Sequence, residues 1–386
     1  MATATVGHRQ TARLSLHRDL DRYGRGWAVF PWGFMAAAAV LGVIWPAGSE
    51  RFAAWPFLVS AVVVGMPHGA LDLRLALRVR RMWGARTGLA ASYLALSGAV
   101  AAGLWLWPVA VIAAFGGLTV LHFGAADARD ASLIAGRAAP RGVALWITAV
   151  GRGGLLLSLP FAWDPTGAML PVEVAASMVS GDGVAYAEAA VRRGGTAAAG
   201  LSLAMVVVGV MLAWRAGATE PGGEAADAGD ADRGGGNDRL LTTHLGEIAV
   251  LASAAAVLEP MFFVGAYFVG WHAVRHLRRA AMLSGDHEVS GHPLRTLLRQ
   301  HAWSLPLLVP TLAAYAAVGY AVIGWRDPMA WAVLLLLSFV VLTPPHHVLV
   351  EKAVGEEKGE EKGEEKVPGT VFHMEPPGPR PERLPR

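Results

Sequence analysis

The chain has 386 residues, of which 54% are hydrophobic and only 16% charged, with a formal net charge of +3. A soluble domain would carry about a quarter charged residues, so the composition excludes disorder for the bulk of the chain and argues against an ordinary water-soluble enzyme. There is no cysteine, which removes disulfides, thiolate catalysis, iron–sulfur clusters and zinc–thiolate sites. A basic arm at 1–26 carries Arg9, Arg13, Arg18, Arg22 and Arg25, with no small-residue cleavage pattern after the first apolar stretch, and reads as preceding an uncleaved anchor. Ten apolar segments follow at 27–46, 53–74, 88–107, 109–127, 142–162, 197–214, 244–259, 261–280, 303–325 and 329–350. Most approach the roughly twenty residues that a helix needs to cross a bilayer. The segment 244–259 is short, and Pro260 alone separates it from the next. The region 27–350 is thus predicted to be an all-α, polytopic integral membrane bundle of about 8–10 transmembrane helices. Residues 216–239, rich in Gly, Ala and Asp, read as a flexible acidic loop within it. The tail 351–386 repeats Gly-Glu-Glu-Lys in tandem, ends Pro-rich, and reads as disordered.

Arginine supplies an orientation. With both termini inside, inner loops carry Arg74, Arg78, Arg80, Arg81 and Arg86, then Arg129, Arg137 and Arg141, then Arg215, Arg233 and Arg239, then Arg275, Arg278, Arg279, Arg295 and Arg299. The outer loops keep only Arg51, Arg192, Arg193 and Arg326. This is the positive-inside pattern; it predicts an N-in, C-in, multi-pass protein of the cell (cytoplasmic) membrane. Trp45, Trp55, Trp105, Trp107, Trp163 and Trp325 fall near the outer ends of spans, where amphipathic rings favour the interface.

Ionisable groups inside spans are costly and mark function by default. Of the thirteen histidines, His8, His17, His287, His292, His301 and His373 fall in the arm, the basic loop or the tail, and His244 reads as interfacial. His68, His122, His272 and His276 instead lie on spans running from outside to inside. At about 1.5 Å per residue they fall about 22, 20, 17 and 23 Å from their outer edges, one shared layer, with His346 near 26 Å. His272 and His276 are four residues apart and project from one helix face. Four imidazoles in one layer suit Fe, Cu, Ni or Zn rather than Mg or Ca. Asp72, one turn past His68, and Asp127, five residues past His122, are candidates to accept the second N–H of a ligand imidazole; the alternative for both is a hydrated interface residue. Arg152, well inside its span, needs a partner, for which Asp72 or Asp127 is available.

At these residues the sequence resembles the Brp/Blh family of membrane-bound bacterial and archaeal β-carotene 15,15′-dioxygenases. The resemblance rests on Pro67-His68-Gly69-x-x-Asp72, on His122-Phe123-Gly124-x-x-Asp127, and on Tyr267-Phe268-x-x-x-His272-x-x-Arg275-His276. It implies an all-helical membrane enzyme that cleaves the central double bond of β-carotene with O2 into two molecules of retinal. It also implies an Fe(II) site whose four histidines fall on His68, His122, His272 and His276. Phe123 and Phe268 become candidates to line a polyene channel, packing or lipid-facing roles being the alternative. Gly69 and Gly124 would admit a neighbouring helix or the substrate. Membrane lipid and a retinal-binding rhodopsin are the further partners to consider, and no nucleic acid is expected. Two other classes compete: a di-iron membrane desaturase or hydroxylase, which needs about twice as many histidines in several boxes, and a non-enzymatic metal or haem-binding transporter, which predicts polar pathways on both sides. His346 and His347, after Pro344-Pro345, serve as controls whose replacement should leave iron bound, the alternative being His346 as a fifth participant or a substitute ligand.

Overall fold

Every regular element among the described residues is helical. The computed structural model describes residues 24–65, 67, 83–135, 140–179, 184–219, 231–277, 293–325 and 327–348. The arm up to residue 23 and the tail 351–386 therefore lie outside the described residues. In chain order the helices are α1 (Gly24–Ile44), α2 (Pro46–Arg51), α3 (Trp55–Ser60), α4 (Trp83–Leu106), α5 (Pro108–Ile134), α6 (Gly142–Trp163), α7 (Pro165–Val179), α8 (Val184–Thr219), α9 (Ala231–Val257), α10 (Pro260–Tyr267), α11 (Pro293–Ile323) and α12 (Pro328–His346). Pro46, Pro108, Pro165, Pro260, Pro293 and Pro328 each open a helix, a position where the missing N–H costs nothing and the fixed φ is already helical. Seven helices among the described residues (α4, α5, α6, α8, α9, α11 and α12) are long and apolar enough to span a membrane. The protein is a multi-pass helical membrane protein.

Four departures from the sequence expectations have local causes. The apolar segment 53–74 is not one straight helix: α3 passes into a π-turn at Ala61–Gly65. The stretch after Trp163, expected as an outer loop, forms α7, whose Pro171 and Glu173 interrupt the apolar run that would announce it. Helix α8 reaches back to Val184, over the Arg192-Arg193 pair assigned to a loop. The Gly- and Asp-rich stretch expected as a loop turns helical at Ala231, so α9 begins well before its apolar part, and residues 220–230 lie outside the described residues.

Helix α6 is the centre of the packing, with α5 on one side and α8 on another. Small residues let the backbones meet. A Cβ added at Gly124 of α5 would strike the backbone carbonyl of Ala149, and one added at Gly153 of α6 would strike that of Val120. On another face of α6, a Cβ at Gly151 would come within 2.6 Å of the Val206 nitrogen. Lipid gives helices no hydrophobic reason to associate, so such close backbone contact is a main source of packing energy. Gly124, expected to admit a neighbour, admits a helix. The six tryptophans expected at span ends are all exposed and sit at helix boundaries, as interfacial rings should. Gly324 ends α11 at φ 69°, and its carbonyl accepts the Trp331 indole N–H at 2.8 Å.

Glu259 joins α9 to α10 and caps α10, its carboxyl accepting the Phe262 N–H at 2.7 Å. Burial, against two backbone hydrogen bonds that favour the charge, pushes this carboxyl up to about 7. Because the folded value lies above the ordinary one, the native state binds the proton more tightly. Stability is therefore full below the ordinary carboxyl range and falls as pH rises through about 7. Glu259→Gln keeps an accepting oxygen and removes the charge. In detergent it should melt above the native chain at pH 8, with the gain shrinking at pH 5; a gain independent of pH would refute this.

Candidate metal centre

Two helices and the C-terminal turn of a third bring described histidines of the apolar spans together. Helix α5 carries His122, Phe123 and Asp127; α10 runs into a π-turn at Phe268–His272 and on through residues 273–277, carrying Tyr267, Phe268, Trp271, His272, Arg275 and His276. The π-turn shapes what each face presents. In an α-helix a residue four positions on has turned about 40° past the first, and a wider turn lessens that drift. Tyr267, Trp271 and Arg275 consequently share one stripe. The Tyr267 hydroxyl, the Trp271 indole N–H and an Arg275 Nη1–H donate to the Asp127 carboxylate at 3.0, 3.3 and 3.3 Å. On the adjacent stripe, Phe268 stacks against His272 at 5.8 Å and 26°, and His276 follows at 6.5 Å.

Across from that stripe, the His122 ring lies 5.3 Å from His272 and 4.3 Å from His347, centre to centre. Phe123 packs on His272 at 4.3 Å and on Phe268 at 6.1 Å. Thus His122 and His272 lie side by side, His276 follows His272 on the same stripe, and Phe123 and Phe268 pack against His272. The aromatic wall continues to Phe57 of α3 and Phe339 of α12, 6.4 and 6.1 Å from Phe268. His68 and Asp72 lie outside the described residues. Gly65, three positions before His68, is described, and a Cβ placed on it would come within 2.8 Å of Phe268.

Neutral imidazoles holding one ion at about 2.1 Å would keep their ring centres roughly 4.5–5.5 Å apart. The His122–His272 pair, at 5.3 Å, falls within that spacing, and His122–His347, at 4.3 Å, lies just below it; both have the donor chemistry. Among the described residues no three His, Asp or Glu side chains converge on one point as a complete site; the expected set needs His68 as well.

Beneath the rings lies a charged layer that the sequence announced only in part. Arg152, expected to need a partner, makes a short bond to Glu247 through Nη2 and lies 3.8 Å from Asp127. Its Nη1–H donates to His244 Nδ1 at 2.9 Å. Because arginine only donates, this leaves the ring proton of a neutral His244 on Nε2. Glu247 takes a second arginine: Arg275 Nη2 donates to its other oxygen at 2.5 Å. The Arg275 guanidinium also lies over the Trp271 ring at 4.1 Å, within the range of a cation–π contact. Two arginines and two carboxylates are thus buried in direct contact, with a third buried carboxylate, Asp130, one turn along from Asp127 on α5.

Three readings are corrected here. His244 is buried, not interfacial, because α9 starts thirteen residues before it. Arg275, counted among inner-loop cations, is 1% exposed. Asp127 is buried rather than hydrated, and the donors found on it are Tyr267, Trp271 and Arg275 rather than an imidazole. Glu247 and His347 went unremarked as site residues. A carboxylate in the same apolar stretch as an unpaired span arginine was the available signal for Glu247, and none marked His347 over His346.

The comparisons with known proteins bear on the same region. No solved structure matches the chain. A curated relative from Halobacterium salinarum, named as the probable β-carotene 15,15′-dioxygenase Blh, is 30% identical over 342 residues, covering 84% of this chain and 90% of the relative. The family model for β-carotene 15,15′-dioxygenase matches residues 59–353, a stretch that takes in every histidine and aromatic ring of the wall except Phe57, and with that coverage the chain belongs to the β-carotene 15,15′-dioxygenase family.

Proposed function

We propose that this enzyme is iron-dependent and cleaves the central 15,15′ double bond of β-carotene, or of a related carotenoid, with O2. The double bond is replaced by two C=O groups, one oxygen atom going to each half, so one C40 polyene gives two C20 aldehydes, retinal. The observation that carries the reading is His272, held between the His122 ring and the rings of Phe123 and Phe268 inside a lipid-spanning bundle.

His68, His122, His272 and His276 would hold Fe(II), which when bound supplies open coordination positions for activating O2. Phe123 and Phe268 present apolar faces to a polyene, exclude water and set its height against the imidazoles. An apolar substrate dissolved in the lipid reaches such a site laterally, without crossing water. Asp127, with Tyr267, Trp271 and Arg275 donating to it, fixes the π-turn that aims His272. The cell membrane, with both termini in the cytoplasm, is the expected location, and a retinal-binding rhodopsin is a fitting recipient of the product.

The test is expression in β-carotene-producing cells with chromatography for retinal. The native chain should yield retinal, and Ala at any one of His68, His122, His272 or His276 should lower it at least about 100-fold, as loss of a metal ligand does when loss of a mere outer partner already costs about 10–100-fold. Bound iron should fall in parallel while protein still accumulates in the membrane. Full retinal output from two or more of the four variants would reject this ligand set.

A further inference from the structure

Helix α12 ends at the site, and how it ends is unusual. Pro344 and Pro345 lie inside its last turn and supply no N–H, which leaves the carbonyls of Val340 and Val341 without their ordinary intrahelical donors. The helix does not break there. It runs on to His346 and opens into a π-type turn at residues 347–348. The His347 N–H meets the carbonyls of Thr343 and Pro344. Helix α4 steadies this end, the Tyr93 hydroxyl donating to the Leu342 carbonyl at 3.0 Å, and Pro345 is buried. The consequence is a division of the histidine pair. The two rings stand at 80° to each other, 5.9 Å apart, and it is His347 that faces His122.

Among the described residues that contact is closer than the other histidine pairs of the cluster: 4.3 Å for His122–His347, against 5.3 Å for His122–His272 and 6.5 Å for His272–His276. A ring-to-ring N–H···N bond, with its nitrogens about 2.9 Å apart and in line, would hold the ring centres about 5 Å apart. Two rings splayed at 68° with centres at 4.3 Å come nearer to imidazoles converging on a common point. Both are half-buried, and they come from helices far apart in sequence, α5 and α12.

We propose that His347 is a further imidazole ligand of the ion held by His122, so that the end of α12 adds a donor to the metal centre beside the π-turn of His272. The proposal rests on the iron reading above and adds a residue to it. It also gives the proline pair a purpose: the turn they permit delivers His347, and not His346, to the site.

The full-length chain in detergent, loaded anaerobically with Fe(II) or with Co(II) as a spectroscopic probe, tests this without turnover. His122→Ala is the benchmark for the iron reading and should lose the metal. His347→Ala and His347→Gln should weaken metal binding at least about tenfold, the lower end of what even outer partners of ligands cost, and should alter the Co(II) visible bands. His346→Ala should match the native chain in both. Native affinity and native Co(II) bands in both His347 variants, with the metal lost from His122→Ala, would overturn the proposal and leave the iron reading standing. Equal binding by the native chain and His122→Ala would overturn both.

Discussion

Glu247→Ala should be the most damaging single change in the molecule outside the histidines. The variant leaves Arg152 and Arg275 buried with Asp127 as their one remaining ion-pair partner among the described residues, where the native chain has two. Removing one partner from a buried ion pair costs about 3–5 kcal/mol because the remaining charge stays uncompensated. Here a single carboxylate serves two arginines. The measurement is accumulation in the membrane and melting in detergent. Glu247→Gln, isosteric but neutral, should fall nearly as far, which separates the charge from the shape. Arg152→Leu with Glu247→Leu removes one charge of each sign and should recover much of the loss. Native stability in Glu247→Ala would mean that the four groups are not compensating one another.

The second large effect is steric. Gly124 and Gly153 face each other across the α5–α6 contact, each aimed at a backbone carbonyl of the other helix. Valine at either position cannot be accommodated by rotating a neighbour, because the obstacle is main chain. The two helices must separate. Overpacking commonly costs about 1–3 kcal/mol, and a backbone collision should sit at or above the top of that range. Separation also carries His122 and Asp127 away from His272 and Arg275, so Gly124→Val should lose most retinal formation even where protein survives. Gly117 is the internal control: it lies on the same helix with nothing within 4 Å of an added Cβ. Gly117→Ala should be neutral or mildly stabilising, since Ala has the higher helix propensity. Equal activity and melting for Gly124→Val and Gly117→Ala would dismiss the close contact.

The two effects also mark where the sequence was informative. Long apolar runs gave away α4, α5, α6, α8, α11 and α12, because lipid demands a continuous stretch and leaves no alternative to a helix. Helix α7 was hidden because Pro171 and Glu173 break its apolar run. The two five-residue π-turns, Ala61–Gly65 and Phe268–His272, leave no mark on composition; they change register, not hydrophobicity. His122, His272 and His276 could be brought together by counting depth, since helical rise is constant. The same arithmetic placed His346 and His347 only slightly deeper and could not tell which would turn inward. That distinction comes from a wide turn following two prolines. Glu247 was legible in principle: an apolar span bearing Arg152 needs an acid at similar depth, and one lay in the stretch 244–259.

The buried charge cluster has a consequence for how the chain is made. Spans leave the ribosome in order, and each must enter lipid before its later neighbours exist. Helices α5 and α6 carry Asp127 and Arg152, 3.8 Å apart. Helix α9 and the helical segment that follows α10 carry Glu247 and Arg275, 2.5 Å apart. A lone charge at mid-bilayer is penalised by about 2.5–3.5 kcal/mol on insertion scales. Within each of these two stretches, however, an acid and a base lie close enough to pair, so neither charge of the pair need enter lipid alone. When the two stretches dock, the pairs exchange members: Arg152 reaches Glu247 and Arg275 reaches Asp127. The same four side chains that make the finished site rigid thus serve earlier as paired passengers, and docking trades local pairs for a shared lattice without exposing any of the four bare to lipid.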